Sequence, residues 1–470
     1  MKTNHCKRII FFLFFNTFFL AVNYVKAQEN YKPIWESIDS RPIPQWFSDA
    51  KFGIFIHWGI YSVPAWAPAD ASIGIFANYA EWYGHRINED SKIGELFREH
   101  NRNVYGENFN YQDFAPYFKA ENFDPVRWTE TIKKSGAKYV VLTSKHHDGF
   151  TLWPSEQSWN WNSTDIGPHR DLCGDLTKAV KDAGLYMGLY YSLYEWYNPM
   201  YLSNLEQYVD CHMIPQMKDM VIQYKPDILW TDGEGHHLSE KWKSTDFLAW
   251  LYNDSPVKDR ICVNDRWGKE TRGAHGGYYT TEYNLVHNRE GVGETNQPWE
   301  ECRGIGMSFG YNRMESTKDY MTSDKLVDLL IKTVANGGNL LLNIGPTADG
   351  RIPVIQQQRL LDIGAWLCIN GEAIYGTRKW GDSENKDFKN IYFTKKGNDL
   401  YILCTEFPEE PIVIKGINNI KKVSMLGFAG NIKSKRLGDI LTITTPDLSP
   451  LINPSQYAWV FKVENALLKN

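Results

Sequence analysis

The feature that most constrains this chain is a recurrence. Short apolar runs, each ending in polar side chains, alternate with segments of helical periodicity over most of its length. Eight runs are read as strands, at 52–59, 139–145, 186–192, 228–232, 261–266, 279–283, 306–311 and 339–345. Runs that are apolar on both faces suit buried parallel strands, and the segments between them suit crossover helices. Asp124 followed by Pro125 has the form of an N-cap with proline at the first helical position, with Val126, Trp128 and Ile132 along one stripe and Gly136 as the stop. Further helices are expected at 172–183, 205–224, 246–252, 323–335 and 356–370. Strand–helix alternation of this kind predicts an α/β fold, a TIM-like (β/α)8 barrel with its working face at the strand C-termini.

Beyond about residue 379 the texture changes to alternating runs at 391–394, 400–403, 423–426, 441–444 and 457–461, with turn signals such as Lys396-Gly397-Asn398-Asp399 between them. This predicts a C-terminal antiparallel β-sandwich. The expected organisation is 1–27 signal peptide, 28–376 barrel and 377–470 sandwich.

The first segment has a basic start (Lys2, Lys7, Arg8), an apolar run at 9–22 and a cleavage-like Val25-Lys26-Ala27. That run is too short for an ordinary membrane span, so it reads as a secretory leader of bacterial type. The expected destination lies across the inner membrane, in the periplasm or outside the cell, with no membrane span in the mature chain. Lys+Arg 51 against Asp+Glu 56 offers nothing to a polyanion, which excludes a nucleic-acid partner. The cysteines beyond the leader (Cys173, Cys211, Cys262, Cys302, Cys368, Cys404) form no C-x-x-C pair, so neither a structural zinc site nor a dense disulfide framework is indicated. One bridge stays open.

A barrel brings distant strand ends to one mouth. Those ends carry His57, His146, His147, Tyr190, Asp232, Arg266, Glu282 and Asn343. In the stretch YKPDILWTDGE, Trp230 and Asp232 are two apart and share a face. A carboxylate beside a tryptophan at a strand C-terminus is where a glycosidase places a nucleophile, although Asp also caps turns. Glycoside cleavage needs a second carboxyl group. Glu282, Glu300, Glu301, Asp148 and Glu195 are candidates, and Glu282 leads because it ends a strand two beyond Asp232. Glu300 and Glu301 are placed before the seventh strand, in a loop or helix, and Asp148 is placed against the neighbouring histidines. His146 and His147, adjacent on a strand, are expected on opposite faces, which argues against a shared metal ion and for hydrogen bonding to hydroxyls. No metal or cofactor is expected. His236-His237 reads as a solvated loop. Arg266 suits a sugar oxygen or carboxylate, or an ion pair with Asp265 or Glu282.

The motifs FGIFIHWG (52–59), EWY (81–83), KHHDGF (145–150), RDLCGDL (170–176), GLYYS (188–192), LWTDG (229–233), NDRWG (264–268), TEY (281–283), RGIGMSFGYNR (303–313) and GGNLLLNIGP (337–346) run in order through nearly the whole barrel. With them the chain resembles glycoside hydrolase family 29, the retaining α-L-fucosidases. The resemblance implies an exo-acting hydrolase of fucosylated glycans, with Asp232 as nucleophile and Glu282 as general acid/base. It implies that fucose is held by His57, Glu81, Trp82, His146, His147, Tyr190 and Arg266, and that Trp230 and Phe309 line its ring and C6 methyl. The chain's RGIGMSFGYNR segment resembles that of the subgroup that tolerates varied aglycones rather than the branched-antigen subgroup. A binding protein without turnover, or a hydrolase of a related sugar such as an L-galactoside, is the alternative.

Overall fold

The computed structural model describes residues 30–283, 297–381 and 389–467. The leader therefore lies outside the described residues. No helix among those described is long and apolar enough to cross a membrane.

A parallel sheet curls into the barrel. Its strands are β1 (Phe52–Ile56), β2 (Tyr139–Lys145), β3 (Tyr186–Ser192), β4 (Ile228–Asp232), β5 (Cys262–Val263), β6 (Tyr279–Glu282), β7 (Trp299–Gly304) and β8 (Asn339–Ile344). Their order is β5-β4-β3-β2-β1-β8-β7-β6. At the β5/β6 seam the ladder is reduced to one parallel bridge, Asn264 with Tyr278. Alternation divides the strands cleanly. Phe55, Tyr139, Val141, Tyr190, Ile228, Trp230 and Leu341 fill the interior, while Ile54, Val140, Leu142, Leu189, Leu229 and Leu342 face the helices. Phe47, on the short helix Gln45–Ala50, plugs the floor and stacks on Tyr278 at 4.0 Å.

The helices follow the punctuation of the sequence. Pro125–Lys134 begins with the Asp124 side chain accepting from the Val126 and Arg127 N–H groups. Val126, read as part of its apolar stripe, is 57% exposed, whereas Trp128 and Ile132 are buried. The long helix expected over 205–224 is two helices, Leu205–Tyr208 and Ile214–Tyr224, joined by a π turn at Val209–Met213.

Three strands differ from expectation: the first stops at Ile56, three residues before the expected Gly59. The fifth is only Cys262–Val263, because Asn264 turns its side chain back onto Thr231. The seventh is WEECRG rather than 306–311, so Glu300 and Glu301 lie within β7 and not in a preceding loop or helix. The chain tolerates carboxylates there because neighbouring strands supply donors: Tyr139 and Trp230 to Glu300, and Thr281 to Glu301.

Strands from β9 (Arg378–Lys379) to β16 (Trp459–Glu464) form two antiparallel sheets that face each other across Phe393, Ile402, Ile412, Leu441 and Phe461. This is the C-terminal β-sandwich. The strands Ile412–Ile414 and Ser434–Leu437 were not among the runs read from the sequence. All six described cysteines are free thiols.

Candidate active site

At the C-terminal mouth of the barrel lies a cavity of about 420 Å³. It is lined by His57, Glu81, Trp82, His146, His147, Tyr190, Trp230, Asp232, Arg266, Glu282 and Phe309, so these residues named from sequence meet in one place, while Asn343, the other strand-end group, stands behind His57 and Phe309 and does not line the cavity. Two roomier depressions, near Tyr252 and near Tyr311, gather no comparable set of carboxylates, imidazoles and aromatic rings.

Asp232 ends β4, and Gly233 then turns left-handed (φ 73°), where a Cβ would collide with Tyr194. One Asp232 oxygen takes the Arg266 Nη1 at 2.7 Å, and the other accepts from the Tyr190 hydroxyl at 2.9 Å. Burial pushes this carboxyl up, but the charges of Arg266 and, farther off, Arg272 outweigh burial and hold it well below the usual carboxylate range. Glu282 ends β6. It lies 3.3 Å from Arg266 Nη2 and accepts from the Tyr79 hydroxyl at 3.1 Å. A single guanidinium therefore joins both carboxylates.

Arg266 itself is 2% exposed and lies 4.4 Å over the Trp230 ring, with its Nε donating to Thr280 Oγ1. Of the two ion-pair partners considered for it, Glu282 is one. Asp265 is not, because its oxygens accept from Thr280 and Gly273 instead.

The hydrogen-bond pattern fixes two imidazole tautomers. Asn343 donates its amide to Phe309 O, so its oxygen accepts from His57 Nδ1 at 2.6 Å. Ser192 Oγ donates to Tyr194 O, so it accepts from His147 Nδ1 at 2.7 Å. Each ring thus keeps Nε2 bare as an acceptor. Burial lowers both rings, His57 to about 3 and His147 to about 4, and lowers His146 well below its ordinary value, so all three are neutral near pH 7.

His146 and His147 do not point to opposite faces. β2 ends at Lys145 with a register shift between Thr143 and Lys145, and the turn that follows brings both rings to the cavity, 4.2 Å apart. Asp148 does not hold them either; it accepts from the Tyr111 hydroxyl and the Phe150 N–H. Glu195 is withdrawn from the cavity, bound by Lys145 at 2.6 Å and His212 at 2.8 Å. His236, expected in solvent, is exposed but stands at the cavity rim with its ring 4.7 Å from Tyr194.

Glu81 is buried beneath the mouth, accepting from Ser308 Oγ and Gly310 N, and burial raises it to about 7. The reading from sequence missed Tyr79, Tyr194, Glu234 and Arg272, which also line the cavity. Tyr79 sits two residues before Glu81 and could have been found from that neighbourhood. Arg272 lies in an irregular segment that carries no periodic signal.

Comparisons with known proteins agree with this geometry. The family described as alpha-L-fucosidase matches residues 18–372, and its C-terminal domain matches residues 384–464. The chain is 44% identical to an alpha-L-fucosidase of Dictyostelium discoideum, covering 97% of this chain and 98% of that protein. It is 41% identical to the tissue alpha-L-fucosidase of Homo sapiens, covering 94% of each. The crystal structure of the Thermotoga maritima alpha-fucosidase in complex with fucose superposes with a TM-score of 0.76 at 39% identity, over 92% of this chain and 100% of that one. A barrel mouth with this set of groups and full-length similarity to these proteins lead to one conclusion: the chain belongs to the α-L-fucosidase family of glycoside hydrolases.

Proposed function

We propose that this glycosidase releases terminal α-L-fucose from glycans by an exo-acting, retaining double displacement. The observation that carries the reading is the pair of carboxylates, Asp232 and Glu282, held on one buried guanidinium at the mouth of a closed barrel cavity. Asp232, kept ionised by Arg266 and Arg272, attacks the anomeric carbon. As the glycosidic bond breaks, Glu282 gives its proton to the departing oxygen, which leaves a fucosyl ester on Asp232. Glu282 then takes a proton from water, and that water displaces Asp232 from the anomeric carbon. The bare Nε2 atoms of His57 and His147 accept from sugar hydroxyls. Trp230 and Phe309 meet the apolar side of a 6-deoxy ring. That a related structure holds fucose supports this sugar.

In the same reading, residues 28–376 carry the reaction and 377–470 brace them. The basic and apolar start directs export across the inner membrane, to the periplasm or outside the cell.

The test is hydrolysis of an aryl α-L-fucoside by wild type and by Asp232→Ala, with and without azide. Turnover in wild type, near-complete loss in the variant and azide rescue to a β-fucosyl azide are expected. Full activity in Asp232→Ala, or a first-formed β-fucose seen by NMR with wild type, overturns the mechanism.

A further inference from the structure

Phe309 lies on a loop after β7 that is tied down from two sides. On the cavity side, Glu81 Oε2 accepts from Ser308 Oγ at 3.0 Å and from Gly310 N at 2.8 Å. On the outer side, Glu315 Oε1 accepts from Met307 N at 2.9 Å and Ser308 N at 2.8 Å. Ser308 is the link, since its backbone is held by one carboxylate and its hydroxyl by the other. The same hydroxyl also accepts from Ala80 N at 2.8 Å, immediately before Glu81. Gly306 is shaped around this contact, because a Cβ there would meet Glu315 Oε2 at 2.2 Å.

Between the two ties, Phe309 is 4% exposed, stacks on His57 at 4.9 Å and gives its carbonyl to the Asn343 amide. Glu315 is half-buried and does not line the cavity. Nothing in the reaction uses it.

We propose that Glu315 is a positioning residue for sugar specificity. Through Ser308 it fixes the Phe309 wall against Glu81, and so sets the preference for a 6-deoxy sugar over the same sugar bearing a 6-hydroxyl. The inference rests on the fucosidase reading given above. A hydroxyl driven against an aromatic wall loses its water and finds no partner, but only while the wall stays in place. With Glu315 removed, the N–H groups of Met307 and Ser308, next to Phe309, lose their acceptor.

The experiment compares wild type, Glu315→Ala, Glu315→Gln and Ser308→Ala on aryl α-L-fucoside and aryl α-L-galactoside, with a melting curve for each. In Glu315→Ala, KM for the fucoside rises about tenfold while kcat stays within about threefold, as expected for lost ground-state positioning. The fucoside-to-galactoside ratio of kcat/KM falls about tenfold. Glu315→Gln keeps an oxygen that can accept both N–H groups, and restores KM and the ratio. If Glu315→Ala does not fold, Ser308→Ala keeps the backbone bonds to Glu315 but cuts the other half of the bridge, the hydroxyl tie to Glu81, and must lower the ratio by itself. A folded Glu315→Ala with unchanged ratio, or with an equal loss on both sugars, overturns the proposal and leaves the fucosidase reading intact. A wild type inert toward both substrates removes that reading and this one with it.

Discussion

Arg266 is the residue on which the site turns. It is buried, it bridges Asp232 and Glu282, and the Trp230 face below it keeps it from swinging away. A buried charge joined to two carboxylates is costly to break on one side. Arg266→Gln removes two charge-assisted bonds, and kcat/KM is expected to fall about 10²–10⁴-fold. Because Arg266 opposes the upward push of burial on Asp232, its loss raises the Asp232 pKa. The acidic limb of the pH–rate profile then moves to higher pH. An unmoved limb refutes that role.

Glu300 gives a second residue-scale test. It sits under Trp230, accepting from Trp230 Nε1 and the Tyr139 hydroxyl, and burial raises it from 4.5 to about 7. A raised folded-state pKa means its stabilising contribution is complete below about 4.5 and is lost as pH climbs through about 7. Glu300→Gln cannot ionise. Its stability relative to wild type should therefore increase between pH 5 and pH 8 in denaturant titrations, and a pH-independent difference contradicts the assignment.

At the scale of elements, strand ends and the turns beyond them set the chemistry. The loop after β3 is anchored by a buried cluster in which Glu195 receives Lys145, His212, Asn198 and Tyr208. Trp196 N in turn donates to His147 O, which ties that loop to the histidine turn. Glu195→Ala strands Lys145 without its partner and should cost about 3–5 kcal/mol by chemical denaturation. By contrast, Asp124→Ala removes a cap on an outer helix. It should cost about 1 kcal/mol and leave KM unchanged, which steady-state kinetics would check.

At the scale of the whole molecule, barrel and sandwich share apolar surface. Tyr401, Leu403, Ala458 and Val460 belong to the same buried cluster as the barrel helices, and Trp366 Nε1 donates to Ala458 O at 3.0 Å. Lys462 and Tyr401 both engage Glu372 at the end of the last barrel helix. A chain truncated after residue 377 uncovers that surface and is expected to aggregate or to melt far below the full chain. A monodisperse truncated barrel with an unchanged melting temperature would show that the sandwich is dispensable.

What the sequence determined by itself was periodicity and its punctuation. β2 and β3 were legible to the residue, and the helix Ser323–Ala335 likewise, because apolar runs and caps are local properties of the chain. The ordered motifs made the residues of the mouth legible too, since most sit at or just beyond a strand end, and Glu81 and Trp82, far from any strand, were carried by the EWY motif alone. Tertiary structure alone decided what depends on partners far away in the chain. β7 is a strand full of carboxylates because Tyr139, Trp230 and Thr281 provide donors that no local pattern announces. His146 and His147 share a cavity because β2 stops one residue before them. Whether a buried charge is tolerated, and which face a residue beyond a strand end takes, depends on neighbours across the barrel, and those exist only once it has closed.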